Sequence, residues 1–148
     1  MKLTRRSFFS VLSILGWFPA SFAIAKPEEA ELAIAKITGG KSIQAGRVKL
    51  IIPPLVENGN LVVMRVQVES PMTPTNYVSK IHVVAEGNPL PNMVTFYLGP
   101  RAGRADVTTR VRIADSQRVW ALAEMNDGSF WQGYAETVVT LSACTENI

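Results

Sequence analysis

Leu61-Val62-Val63-Met64-Arg65-Val66-Gln67-Val68-Glu69 is the stretch that decides how this chain folds. Val62, Met64, Val66 and Val68 fall on one side of a period-two pattern, and Arg65, Gln67 and Glu69 fall on the other. That is the signature of a strand with one face buried and one face wet. The same alternation returns at Val107, Thr109, Val111 and Ile113, with Thr108, Arg110 and Arg112 opposite, and again at Ile81, Val83 and Ala85. Val48 to Ile52, Val94 to Leu98, Val119 to Met125 and Phe130 to Leu141 complete the expected strands.

The punctuation between these segments belongs to antiparallel sheets. Glu57-Asn58-Gly59-Asn60 and Asn126-Asp127-Gly128-Ser129 each carry a pair that accepts positive φ, the chemistry of a tight hairpin turn. Ser70-Pro71-Met72-Thr73-Pro74 and Gly87-Asn88-Pro89-Leu90-Pro91 are stiff loops in which a ladder N–H would be missing. Upstream, Pro27 to Ile37 reads as a short helix. Its Pro sits early, Glu28, Glu29 and Glu31 favour the positive end of the dipole, and Gly39-Gly40 stops it. The pattern predicts an all-β fold: an immunoglobulin-like antiparallel β-sandwich of about seven strands preceded by a short N-terminal helix.

A chain of 148 residues with 47% hydrophobic content is enough for one domain with a real core. Of its 15 Lys and Arg, three (Lys2, Arg5 and Arg6) lie in the first six residues, while all 12 Asp and Glu lie beyond residue 27. Without the N-terminus the two signs balance, so the net charge of +3 is no nucleic-acid footprint. Cys144 and His82 are the sole residues of their types. They exclude an intramolecular disulfide, a Cys/His zinc site and a CxxC redox pair. No phosphate-binding loop, GxGxxG, HExxH or GxSxG motif is present, and the sequence calls for no cofactor or metal.

Thr4-Arg5-Arg6-Ser7-Phe8-Phe9 sets a twin arginine before an apolar run, Phe8 to Phe18, that is too short to span a bilayer. Ala23-Ile24-Ala25 then offers a signal peptidase the small side chains that its pocket admits. Residues 1–25 therefore read as a twin-arginine-type signal peptide, with ordinary Sec export as the alternative. The expected mature chain starts at Lys26, lies in the periplasm and holds no membrane segment. Its divisions are a short helix and turn (26–40), the sandwich (41–141) and a cysteine-bearing tail (142–148).

Three features could carry chemistry. His82, between Ile81 and Val83, points off the core face and reads as a surface or interface histidine rather than a catalytic one. Arg101, Arg104, Arg110 and Arg112 make a basic cluster across a loop and a strand, a solvated face or a site for an anion or an acidic partner. Cys144 lies beyond the last strand, where chain ends are exposed. In an oxidising compartment a lone cysteine is either buried and inert or exposed to react outside its own domain, and its place favours the second. Glu136, Glu146 and the terminal carboxylate disfavour its thiolate, so activation must come from a partner.

At this point the residues resemble the SoxY family, the sulfur-binding subunit of the periplasmic SoxYZ carrier of thiosulfate oxidation. The similarity runs from about Ala30 to Cys144. It rests on Thr38-Gly39-Gly40-Lys41, Gly46-Arg47-Val48-Lys49-Leu50, Glu57-Asn58-Gly59-Asn60 and Val68-Glu69-Ser70-Pro71-Met72. It continues through Ile81-His82-Val83, Ala85-Glu86-Gly87-Asn88-Pro89, Thr109-Arg110-Val111-Arg112 and Ala123-Glu124-Met125. The resemblance implies an immunoglobulin-like sandwich, a SoxZ-like subunit as partner, and covalent attachment of sulfur intermediates to Cys144 for presentation to periplasmic sulfur-oxidation enzymes. The protein itself would be a carrier, not an enzyme. The family ends in Gly-Gly-Cys-Gly-Gly; here the ending is Ser142-Ala143-Cys144-Thr145-Glu146-Asn147-Ile148, so the cysteine matches and its glycines do not. Ala143 and Thr145 make this arm stiffer and bulkier. The alternative is an interaction module of the same fold, with a cysteine that is inert or forms an intermolecular disulfide.

Overall fold

The structure is a computed structural model and describes residues 27–141. The expected signal peptide (1–25) and tail (142–148) lie outside the described residues. Helix α1 (Pro27–Thr38) is followed by nine strands: β1 (Ile43–Ala45), β2 (Val48–Ile51), β3 (Leu55–Asn58), β4 (Val62–Val68), β5 (Val78–Ala85), β6 (Asn92–Tyr97), β7 (Ala105–Val111), β8 (Gln117–Met125) and β9 (Phe130–Leu141). The larger sheet runs β1-β9-β8-β5-β6, with β3 beside the far end of β9, and the smaller runs β2-β4-β7. The two sheets form the expected β-sandwich.

Period-two patterning places the core. Val62, Met64, Val66 and Val68 are buried, and in register with them across β7 stand Val111, Thr109, Val107 and Ala105. From the larger sheet Ile81 and Val83 face inward beside Ala123 and Ala121, so large and small side chains alternate across β5 and β8. Met64 and Ile81 are among the largest fully buried side chains, each contributing about 1.5–3 kcal/mol through burial. On the outer face of the larger sheet, Ala30, Ala33, Ile34 and Ile37 share one side of α1 and pack against Val84, Leu122, Ile43 and Trp120. Gly39 and Gly40, both at positive φ, end the helix, and the Gly40 N–H donates back to the Ala35 carbonyl.

The β8–β9 hairpin turns where the sequence places it. Gly128 has φ +80°, its N–H donates to the Met125 carbonyl, and the Asp127 carboxylate accepts from the Ser129 N–H at 2.8 Å. The other expected hairpin, at Glu57 to Asn60, is not one. β3 does not pair with β4; it lies parallel to β9, with Leu55, Val56 and Asn58 opposite Val138, Val139 and Leu141. Gly59 is not at positive φ, and what it provides is room, because a Cβ there would collide with the Ile113 carbonyl. β1 also runs parallel to β9, Ile43 opposite Phe130. The sandwich thus keeps the seven expected strands, mostly antiparallel, and adds two short parallel ones.

One route explains both additions. Between Ala45 and Val48 the chain leaves the larger sheet for the smaller at Gly46 (φ +100°) and Arg47 (φ +57°). A left-handed non-glycine residue is strained, and Arg47 is held there by its guanidinium lying 4.3 Å above the Trp131 ring and by its carbonyl accepting from the Glu69 N–H. Pro53-Pro54 then return the chain to β9. Where β2 passes β9, Gly133 gives the Val48 carbonyl room that a Cβ would occupy.

Candidate functional site

The sequence points to Cys144, which lies outside the described residues; its anchorage does not. β9 is 12 residues long and ends at Leu141, three residues before the cysteine. A strand end left alone would fray, and this one is held on both sides. The Thr137 hydroxyl donates to the Pro53 carbonyl at 2.8 Å and the Val138 N–H to the Pro54 carbonyl at 2.9 Å. The Thr140 hydroxyl donates to the Glu57 carbonyl at 3.1 Å. Opposite β3, the Ser116 hydroxyl accepts from the Val139 N–H at 2.9 Å.

Gly59 closes the arrangement. Its N–H donates to the Leu141 carbonyl at 3.1 Å, and its own carbonyl accepts from the Ile113 N–H at 2.8 Å. The last residue of β9 is thereby linked through one glycine to Ile113, two residues beyond β7. Three residues beyond it span at most about 10 Å. Gly59, Ser116 and Thr137 are the residues holding the end of β9 that sequence reading missed. Asn58-Gly59 was visible as a turn signal, whereas Ser116 and Thr137 reach partners 23 and 84 residues away.

His82 stands off the core face as expected but is buried, only 9% exposed, flanked by Thr95 of β6 and Leu122 of β8. Its Nδ1 lies 3.0 Å from the Thr95 hydroxyl, and its Nε2 lies 3.7 Å from the Glu124 carboxylate, too far for a hydrogen bond. Burial pushes the imidazole below its ordinary value, against the opposing pull of Glu124. Glu124 is already taken by Lys80 at 2.9 Å, which raises the lysine through that hydrogen bond. His82 is thus a packed residue beside an ion pair, its one close polar contact being the Thr95 hydroxyl.

The four arginines do not form one cluster. Arg101 and Arg104 precede β7, Arg110 and Arg112 lie at its far end, and the seven residues of the strand separate the pairs by roughly 20 Å. Arg110 and Arg112 line a groove of about 430 Å³ between β6 and β7, together with Asn88, Leu90, Met93 and Val94. Arg104 instead adds its charge to the surroundings of Asp106. Among the described residues no group of three or more His, Cys, Asp or Glu is gathered as a metal ion would require.

Comparisons with known proteins follow the same outline. The family model for the sulfur oxidation protein SoxY matches residues 34–144. The sulfur carrier protein SoxY from Chlorobium limicola f thiosulfatophilum superposes with a TM-score of 0.65 at 23% identity, covering 77% of this chain and 98% of that one. The superoxide reductase (neelaredoxin) from Ignicoccus hospitalis superposes at 0.56 and 23% identity, covering 78% of this chain and 94% of that one. An Archaeoglobus fulgidus superoxide reductase gives 0.53 at 17% identity over 66% of this chain and 99% of that one. At these identities the structural likenesses establish the fold. No curated protein sequence matches the chain.

Proposed function

Because this chain belongs to the SoxY family of sulfur oxidation proteins, we propose that it acts in the periplasm as a covalent sulfur carrier, with Cys144 as the attachment point and a SoxZ-like subunit as its partner. The observation that carries this reading is where the family match stops: residue 144, the sole cysteine of the sequence. The fixed end of β9 supports it mechanically. A carrier must present its cargo to separate enzymes, and a strand end held by hydrogen bonds gives the segment that follows a defined point of origin.

The chemistry at Cys144 is bond formation to sulfur. Joining its thiol to the outer sulfur of thiosulfate makes one S–S bond, releases the thiol proton and frees two electrons. The step therefore belongs to an oxidising partner enzyme that accepts them. The thiolate is the nucleophile, and the one charged residue among 142–148, Glu146, is negative and disfavours it. Activation comes from the partner's site.

The twin-arginine segment at Arg5-Arg6 and the small-residue site at Ala23 to Ala25 support export, and sequencing of the secreted chain should find Lys26 at its start. Exposed Leu61 and Val63, on the wet face of β4, support the need for a partner subunit. Co-expression with a SoxZ-like protein should raise the soluble yield.

Intact mass of the exported protein, taken with and without reductant after incubation with thiosulfate and periplasmic extract, tests the carrier reading. A reductant-sensitive gain that disappears in Cys144→Ser is expected. A doubled mass with no small adduct would instead make the protein a disulfide-linked interaction module.

A further inference from the structure

The larger sheet ends at β6 and the smaller at β7, and β6 is an edge without the usual guards. Edge strands commonly carry a charge, a proline or a bulge that turns a second strand away. Asn92-Met93-Val94-Thr95-Phe96-Tyr97 holds no charged residue and no proline, and its one register shift, opposite Val83 and Val84, leaves Val94 to Tyr97 regular. The Leu98 N–H donates to the Ser79 carbonyl at 2.9 Å, so Leu98 faces β5. Alternate residues of an antiparallel ladder turn their N–H and C=O groups to opposite sides. Those of Thr95 and Tyr97 therefore point outward, where no strand takes them.

Beside the start of this edge lies the groove of about 430 Å³ between β6 and β7. Its lining includes Met93, Val94 and Val111, half-buried and packed on the core, and its charged residues are Arg110 and Arg112, with no carboxylate among them. Among the described residues neither arginine is in an ion pair. The Asn88 amide donates to the Arg112 carbonyl at 2.9 Å, which fixes the base of the pair. The two arginines stand two residues apart, about 7 Å along an extended chain and on the same side of it. A second extended chain presents its own alternate side chains at that interval, so two acidic residues separated by one other meet the arginines one to one, which a single small anion does not. We propose that β6 takes up an extended segment of another protein as an added strand, and that this segment carries two such acidic side chains facing Arg110 and Arg112 across the groove. Backbone pairing at Thr95 and Tyr97 supplies affinity. The arginines supply register, since a slip of one residue turns the acids to the wrong side. Nothing in this binding depends on Cys144 or on the carrier reading.

The probe is a synthetic seven-residue peptide in which two glutamates alternate with valine and threonine, capped at both ends and followed by fluorescence anisotropy against the full mature chain. Saturable binding that weakens with salt is expected. Lysine in place of both glutamates should abolish it. Arg110→Gln with Arg112→Gln should weaken it at least about fivefold. Tyr97→Pro removes an N–H that faces outward, which an edge strand tolerates, and should weaken binding at least about tenfold. Two further peptides, methylated on alternate backbone amides, test the pairing with the protein untouched. The one whose methyl groups face β6 should fail to bind, and the other should bind as the parent does. Equal binding of the two overturns strand addition, and so does binding that leaves the amide NMR signals of β6 unmoved. Undiminished binding by the arginine variant overturns the acidic partner, and no saturable binding of the parent peptide overturns the proposal outright. A chain that dimerises until Tyr97→Pro is introduced would give the edge to a second copy instead.

Discussion

The two lateral edges of this sandwich are built on opposite plans. On one, residues 43–58 pass from the larger sheet to the smaller and back, so that β1 and β3 flank β9 while β2 sits between them in the other layer. The backbone itself stitches the layers together, at Gly133 closely enough to leave no room for a Cβ. On the other edge β6 pairs with β5 and β7 with β4, neither with a further strand, and a groove remains between them. Pairing satisfies backbone groups and fixes position; a free edge does neither. The stitched edge is the one that ends in the tail, which is where a fixed position has a use. Across the groove of the free edge, the ties among the described residues come from the Asn88 side chain.

The sharpest way to break this contrast is to add one carbon to the stitched edge. Gly133→Ala and Gly59→Ala each drive a Cβ into a backbone carbonyl, of Val48 and Ile113 respectively, and backbone cannot swing aside as a side chain can. Each should cost about 2–3 kcal/mol in urea unfolding. Gly59→Ala should also loosen the Leu141 carbonyl, seen as faster amide exchange over β9 from Val138 onward. A glycine substitution on the free edge has no such effect to offer: Gly99 meets nothing within 4 Å of an added Cβ, and alanine there should leave stability unchanged.

A smaller effect tests the side-chain fastening. Asn88 ties the loop before β6 to the end of β7: its amide donates to the Arg112 carbonyl at 2.9 Å and its oxygen accepts from the Ala114 N–H at 2.9 Å. The Gln117 amide donates to the same oxygen at 2.9 Å. Asn88→Ala should cost about 1–2 kcal/mol. Because the loss is confined to the free edge, exchange should quicken in β6 and β7 and leave β9 as it was. Uniform quickening through both edges would mean that the edges do not differ as described.

The same contrast explains what could be read in advance. β4, β5 and β7 announce themselves because each carries an alternation long enough to see, and Asp127-Gly128 because its turn needs positive φ; β2, β6, β8 and β9 stand out only as strand candidates between turns. Ile43-Gln44-Ala45 and Leu55-Val56-Glu57-Asn58 are too short for any period, and only β9, some eighty residues later, makes them strands. Asn58-Gly59 misleads for a physical reason: glycine serves both positive φ and close approach, and the sequence does not say which. The burial of His82 was hidden likewise, since the residues that flank it, Thr95 and Leu122, come from other strands. Cys144 is singled out in the sequence by its solitude and its place, and it lies outside the described residues. The residues that hold β9 in front of it, Gly59, Ser116 and Thr137, act through contacts that no local pattern encodes.

The smallest expected effect is on acid stability and concerns how β7 is fastened to β4. Arg65 and Gln67 on β4 both donate to Asp106 on β7, at 2.8 Å from the Arg65 Nε and 3.0 Å from the Gln67 amide. The Arg65 hydrogen bond, then that from Gln67, holds the Asp106 carboxyl down to about 2 from its ordinary 3.8. A carboxyl depressed in the folded state binds fewer protons there than in the unfolded chain, so its contribution is complete above pH 3.8 and is lost as pH falls toward 2. The pair is solvent-exposed, so screening keeps the effect small. Unfolding followed between pH 5 and pH 2 should steepen below pH 4 in the wild type and less so in Asp106→Asn. Salt should narrow the difference between the two. Since β7 has no second neighbour, the loss should appear first as exchange of β7 amides, before any change in β9. Acid loosening that begins in β9, or an Asp106→Asn profile as steep as wild type, would place the weak edge on the wrong side of the sandwich.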